Sequence, residues 1–399
     1  MNVQRTFDVV VVGGGPAGAT AATDLARQGR SVLLLDRAGR IKPCGGAIPP
    51  KLIEEFDIPE SLLVARINSA RMVAPGSRHV DIPIQGGFVG MVDRDVFDEW
   101  LRERAAAAGA ERRAGTFETL TRDTDGTAIV HYRPKVADAK DAPMQVRARS
   151  VIGADGAISA VAREAVPDAG RPTYVFAYHE IIRSPEDRAV DFDPTRCDVV
   201  YRGTLSPDFY SWIFPHGPTT SVGTGTAHKG FSMKGAVATL REECGLDGVE
   251  TLRREGAPLP LKPLRKWDNG RDVVLAGDAA GVVAPSSGEG IYYAMVGGRV
   301  AAEAVQRYLV TGDSRQLATA RKSFMRMHGR VFWILGAQQN YWYANDKRRE
   351  HFVSMCRDSE LQRLIFQSYM YKKLVWAKPL AHLRIFFMNL AHMVGLSPA

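Results

Sequence analysis

Three short turns, far apart along the chain, each follow an apolar run: Gly13-Gly14-Gly15-Pro16-Ala17-Gly18, Gly153-Ala154-Asp155-Gly156 and Gly277-Asp278-Ala279-Ala280-Gly281. A run of Val, Ile and Leu that stops at glycine is how a buried parallel strand ends, and the carboxyl edge of such a sheet is where nucleotides bind. One such turn is a common β-turn. Three of them in one chain imply that distant segments meet at one sheet edge around one extended ligand.

The first turn carries the most detail. Residues 9–12 read as a strand, 17–28 as a helix and 32–35 as a second strand, which together make a βαβ unit. Gly13 and Gly15 allow a tight turn and let a pyrophosphate approach the backbone, and Gly18 lets the helix lie close to the strand. Ala17 stands at the helix start, where free N–H groups favour phosphate. Asp36 ends the second strand with a carboxylate placed for a ribose diol, and Arg37 follows it. A carboxylate there repels a 2′-phosphate, so the pocket is expected to take FAD or NAD in preference to NADP. Gly277-Asp278 decides for FAD, because an acid after a third strand can bind ribityl hydroxyls. The loop holding Gly288 and Gly290 then opens a long helix at Ile291, whose positive end can point at a flavin pyrimidine. Asp155-Gly156 supplies the remaining turn.

A chain of 399 residues, 45% of them hydrophobic, can bury a large core. The expected fold is α/β (α+β overall): a single-Rossmann FAD-binding domain interleaved with an antiparallel-sheet substrate domain, plus a helical C-terminal extension. The expected division is 1–65, 93–165 and 256–312 for the first, 66–92 and 166–255 for the second, and 313–399 for the helical region. Residues 93–108 read as a helix, 112–151 as an antiparallel meander with a polar loop near 137–142, and 170–250 as strand-like runs. Residues 273–276 lead back to the nucleotide sheet, and from 290 the pattern is helical.

Several classes are set aside by composition. No run approaches the roughly 18 apolar residues of a membrane span, and the first apolar strand is too short for a signal core, so a cytoplasmic protein is expected. Cys44, Cys197, Cys244 and Cys356 form no C-x-x-C pair and the nine histidines show no paired ligand spacing, so neither disulfide nor metal is expected. The net charge of +8 belongs to the tail: from Ser314 onward there are fourteen Lys/Arg against four Asp/Glu, and before it 38 against 40. The same tail holds Phe332, Trp333, Tyr341, Trp342, Tyr343, Phe366, Tyr369, Tyr371, Trp376, Phe386 and Phe387. Two readings stand side by side: rings and basic anchors for peripheral contact with an anionic membrane, or an inter-helix aromatic core with a solvated basic side. No nucleic-acid motif accompanies the charge, so nucleic acid is not an expected partner.

Two local segments narrow the class: Lys42-Pro43-Cys44-Gly45-Gly46-Ala47, and the run from Pro207 to Pro215 that contains Tyr210, Trp212 and Phe214. In strand alternation those three rings share one face and form an apolar wall. The chain resembles the single-Rossmann flavoproteins that include aromatic hydroxylases and geranylgeranyl reductases. Its P-x-x-Y-x-W-x-F-P run matches the signature of the geranylgeranyl reductases. The run from Gly46 through Ile48-Pro49, Glu55-Phe56-Asp57 and Pro59 resembles the chlorophyll and bacteriochlorophyll branch. The resemblance implies FAD contacts at the three turns, at Cys44 to Ala47 and at Arg94, with substrate contacts at Tyr210, Trp212, Phe214 and Pro215.

The activity it implies is saturation of the isolated double bonds of a geranylgeranyl group, carried by a diphosphate or an esterified pigment, to give phytyl. NADPH is the expected transient reductant, and a ferredoxin is the alternative. Such an alkene has no carbonyl to accept electron density, so protonation at one carbon must accompany hydride delivery to the other, in a dry pocket lined by aromatic faces. Cys44, Tyr210 and Trp212 are the candidate catalytic residues, the first two as proton donors. A flavin monooxygenase, an archaeal-type lipid reductase and a prenyl or pigment carrier with structural FAD remain as alternatives.

Overall fold

The computed structural model describes residues 5–37, 41–135, 143–186 and 191–372, the side chains of 364–368 excepted. The expected polar loop near 137–142, the rings at 366, 376, 386 and 387, and the helical pattern beyond 372 lie outside the described residues. The chain divides into two compact units: Met1–Lys42, Arg94–Val175 and Pro258–Gly336 form the first, and Pro43–Asp93, Phe176–Ala257 and Ala337–Ala399 the second. This division differs from the expected one at 43–65 and 166–175, which exchange units, and at the C-terminal helices, which are shared between the two.

The first unit is built on five parallel strands in the spatial order Glu111–Arg122, Val32–Asp36, Thr6–Val12, Met144–Gly153, Val273–Leu275. Val9, Val10, Val11 and Leu33 are fully buried, each side chain worth about 1.5–3 kcal/mol. Both faces of this sheet must therefore be covered, and helix Pro16–Arg27 packs between Arg94–Ala107 and Ile291–Thr311. The expected meander is half of the story. Glu111–Arg122 begins in the parallel sheet and from Gly115 pairs antiparallel with Ala128–Pro134, which in turn pairs with the start of Met144–Gly153. The two long strands thus belong to both arrangements.

The second unit carries a seven-stranded sheet in the order Thr251–Pro260, Tyr174–Arg183, Thr219–Thr226, Ser211–His216, Arg196–Val200, Ser69–Val73, His79–Pro83. Arg196–Val200 and Ser69–Val73 pair in parallel, and the pairs on either side of them are antiparallel. One face is closed by helix Met233–Glu243, whose Val237 and Leu240 meet Ile182, Val200, Ile213 and Val222. That helix lies inside the span read as strands. Ser232 caps it by accepting from the Gly235 amide, a start signal that the surrounding β-like composition masks. Ala47–Ile48, Val89–Met91 and Ala65–Ile67 form a separate three-stranded sheet.

Candidate functional site

In the first unit the turn after Thr6–Val12 is shaped by what its glycines lack. Gly13 has φ +104°, and a Cβ there would lie 2.3 Å from the Ala154 carbonyl oxygen, so the first and second turns touch. A Cβ at Gly18 would fall 1.8 Å from the Gly13 oxygen, which fixes the helix against the strand end. Gly15 is different: nothing lies within 4 Å of the position its Cβ would take. It is the N-cap of Pro16–Arg27, with no side-chain cap and no acidic residue in the first turn, so no side chain of this turn offsets the positive helix end. An uncapped helix start beside an unfilled glycine face fits the pyrophosphate of a dinucleotide.

Asp36 closes this cradle. Its Oδ2 accepts from the Gly14 amide at 2.7 Å, and Arg102 reaches in from helix Arg94–Ala107, with Nη1 3.3 Å from the Gly14 carbonyl and 3.9 Å from Asp36 Oδ1. Arg37 is exposed beside it. Sequence reading missed Arg102, which lies 88 residues from Gly14 and carries no local signal. Arg94, the expected contact on this helix, is buried and holds Asp98 with two bonds of 2.8 and 2.7 Å.

The other two turns divide their tasks. Asp155 accepts from Ser159 Oγ at 2.5 Å and from the Ala160 amide at 2.7 Å, at the start of helix Ala160–Ala165. Burial pushes its carboxyl above the usual aspartate range even against these bonds. Its oxygens are thus engaged by that helix, and Gly156 follows with φ +90°. Asp278 is buried and pairs with Lys42 Nζ at 2.5 Å, a partner sequence reading did not assign. A Cβ at Gly290 would stand 3.8 Å from Asp278 Oδ1, so this acid adjoins the start of Ile291–Thr311. Gly290 is the N-cap there, again with no side-chain cap, and Gly288 bends the preceding loop. A Cβ at Gly277 would lie 2.7 Å from Ala17 Cβ, which brings the first and third turns together.

In the second unit the sheet face opposite helix Met233–Glu243 carries the expected rings. Tyr210 and Trp212 are 6.0 Å apart edge-on, and Trp212 and Phe214 are 6.2 Å apart. Tyr210 also stacks on Phe209 at 4.3 Å. Tyr210, Trp212 and Pro215 are buried, and Phe214 is half-buried. The glycine pair of the cysteine segment lies against this wall: a Cβ at Gly45 would meet Phe214 at 3.2 Å, and one at Gly46 would meet His216 at 2.4 Å. Cys44 Sγ accepts from the Gly46 amide at 3.4 Å, and Ala47 enters the three-stranded sheet. His216, absent from the expected site, follows the ring run in the same alternation, and that period-2 pattern was the available signal.

The tail's two readings separate residue by residue. Phe332 packs on Tyr293 and Phe324 in the first unit, and Tyr343 on Tyr201 and Phe209 in the second, so these rings are core. Trp333 is 75% exposed, on a helix face shared with exposed Lys322, Arg326 and Arg330. Among the described residues no helix is long and apolar enough to cross a membrane, and no group of three His, Cys, Asp or Glu could hold a metal ion.

Comparison with known proteins decides the family. The chain is 58% identical over 392 residues, 98% of its own length and 98% of the relative's, to geranylgeranyl diphosphate reductase of Rhodobacter capsulatus. It belongs to the geranylgeranyl reductase family. The archaeal branch is more distant within it: digeranylgeranylglycerophospholipid reductase of Thermoplasma acidophilum is 29% identical, over 90% of this chain and 91% of that one. A family model described as lycopene cyclase protein also matches residues 8–365. In fold the reductase is similar to a crystal structure of a geranylgeranyl bacteriochlorophyll reductase-like protein from Thermoplasma acidophilum, with TM-score 0.80 at 24% identity, covering 94% of this chain and 98% of that one. The α/β architecture read from the three turns is thus that of this reductase family.

Proposed function

We propose that this geranylgeranyl reductase uses FAD to saturate isolated double bonds of a geranylgeranyl group, giving phytyl, on geranylgeranyl diphosphate or on a (bacterio)chlorophyll already esterified with it. NADPH, or a ferredoxin in its place, renews the reducing equivalents. The observation that carries this reading is the ring run Tyr210, Trp212, Phe214 on one sheet face with the Gly45-Gly46 segment laid against Phe214 and His216, in a chain 58% identical to a geranylgeranyl diphosphate reductase. We assign cofactor binding to the first unit and the prenyl group to the second.

When bound, reduced FAD supplies the hydride. The first unit's contribution is binding: the amides after Gly15 take the pyrophosphate, Asp36 a ribose, and Asp278, once parted from Lys42, a hydroxyl of the ribityl chain. The second unit's contribution is an environment. Protonation of a trisubstituted alkene places positive character on the tertiary carbon, and buried ring faces both exclude water from it and stabilise it. Cys44 and Tyr210 are the proposed proton donors; the Gly46 amide orients the Cys44 sulfur while leaving its S–H able to donate. The three alkenes that are saturated must each reach the same wall, so the chain slides between steps.

Peripheral membrane contact belongs to the same reading, since both substrates carry long apolar tails. Lys322, Arg326, Arg330 and Trp333 recur at helical spacing on the exposed face of Thr319–Trp342, as an interfacial helix requires.

Anaerobic incubation of the yellow protein with NADPH and geranylgeranyl diphosphate should give products heavier by two hydrogens per step. A requirement for oxygen would favour a monooxygenase, and a flavin spectrum that never cycles with substrate would favour a carrier.

A further inference from the structure

Beneath the ring wall a polar line crosses four adjacent strands. Trp212 Nε1 lies 3.0 Å from Ser221 Oγ, Ser221 Oγ 2.9 Å from His179 Nδ1, and His179 Nε2 3.2 Å from Glu255 Oε2. Arg253 holds the other carboxylate oxygen at 2.6 Å. Ser221, His179 and Trp212 are buried, at 0%, 3% and 6% exposure. The floor is Gly223, where a Cβ would stand 2.3 Å from Trp212 Cζ2 and 2.6 Å from His179 Cβ, so the indole rests directly on backbone.

The donors fix the direction of this line. An indole N–H only donates, so Ser221 Oγ accepts from Trp212, and an ionised carboxylate only accepts, so His179 Nε2 carries the hydrogen it shares with Glu255. In the uncharged imidazole Nδ1 is then the acceptor, and the Ser221 hydroxyl hydrogen goes to it. The line cannot supply protons to an alkene, because it ends at an indole nitrogen that neither accepts nor releases one near neutral pH. What it can do is hold the indole. A Leu or Phe in the wall would need no such support; a Trp brings one polar atom into an apolar place, and leaving that atom unpaired is costly.

We propose that Ser221 and His179, anchored by Glu255, are positioning residues that lock the Trp212 ring for prenyl reduction. This rests on the reading of Trp212 as part of the prenyl wall, and it goes beyond that reading by naming what sets the ring's orientation.

The test is a double-mutant cycle in the FAD-loaded protein. Ser221→Ala and, separately, His179→Leu should each lower kcat for geranylgeranyl diphosphate about tenfold with KM for the reductant unchanged. In a Trp212→Phe background, which has no N–H to hold, the same changes should lower kcat less than twofold further. With tryptophan labelled at the indole nitrogen, the Trp212 N–H signal, one of six and assigned by its loss in Trp212→Phe, should move in Ser221→Ala. Equal losses of kcat in both backgrounds, or an unmoved indole signal, would overturn the proposal. Wild-type protein that reduces no prenyl substrate would instead overturn the functional reading, with the indole signal still reporting on the bond.

Discussion

His216 Nε2 lies 3.0 Å from the carbonyl oxygen of Gly45, and its Nδ1 lies 3.3 Å from Asp93 Oδ1. The imidazole therefore ties the cysteine segment to the end of the ring-bearing strand. Gly46 leaves it room, with φ +67° and no Cβ. His216→Ala should lower turnover about tenfold while reducing stability by about 1 kcal/mol, the worth of one buried hydrogen bond. His216→Gln, whose amide can still donate to Gly45, should recover most of the turnover. Steady-state kinetics with thermal melting checks this; a Gln variant as slow as the Ala variant would mean that the bond to Gly45 is not what matters.

Gly15 and Gly18 separate binding from folding. At Gly15 a methyl group meets nothing and the backbone φ is −73°, so Gly15→Ala should fold with a stability change under about 1 kcal/mol. Its methyl would occupy the space assigned to pyrophosphate, so FAD affinity should fall at least about tenfold. Gly18→Ala drives a methyl to 1.8 Å from the Gly13 oxygen and should destabilise the first unit by about 3 kcal/mol. Flavin titration and melting of both variants decide the matter, and an unchanged FAD affinity in Gly15→Ala would remove the phosphate from this helix start.

The βαβ unit was legible because its signals are local: an apolar run, three glycines and an acid at the next strand end. What could not be read were partners brought in by tertiary packing. Arg102 reaches Gly14 from another helix, Lys42 meets Asp278 across 236 residues, and His179, Ser221 and Glu255 come from three strands with no shared spacing. Asp155 shows how local signals overlap. Its place after a strand marked it for the cofactor, and its oxygens also accept from the helix that follows, a capping motif with the same sequence appearance. Helix Met233–Glu243 escaped because only two of its positions, Val237 and Leu240, carry large fully buried apolar side chains.

Glu255 should give the second unit a titratable contribution to stability. Burial raises its carboxyl, but the bond from His179 and the charge of Arg253 outweigh burial and hold it below the usual glutamate range. A depressed carboxyl contributes stability that is present above the unfolded value and lost as pH falls through the folded one. Glu255→Gln should thus be less stable than wild type by about 1 kcal/mol at pH 7, with the difference closing as pH drops below the usual glutamate range. Urea denaturation at a series of pH values measures this difference. A gap that stays constant into acid would assign the effect to shape and not to charge.

Trp333 and the cations beside it make membrane contact testable apart from catalysis. Lys322, Arg326 and Arg330 form no ion pair with the described residues, so their charge is available to an anionic surface, while an exposed indole suits the headgroup level. Each cation near such a surface is worth about 1 kcal/mol, so Arg326→Glu with Arg330→Glu should lower binding to phosphatidylglycerol vesicles well over tenfold, and Trp333→Ala by less. Added salt should weaken wild-type binding in parallel, since exposed charges are screened within about 10 Å at 0.1 M. None of these residues belongs to either candidate site, so turnover on detergent-dispersed substrate should hold steady. Co-sedimentation reads the first effect and the anaerobic assay the second. Vesicle binding that survives the charge reversals would move the membrane contact elsewhere on the protein.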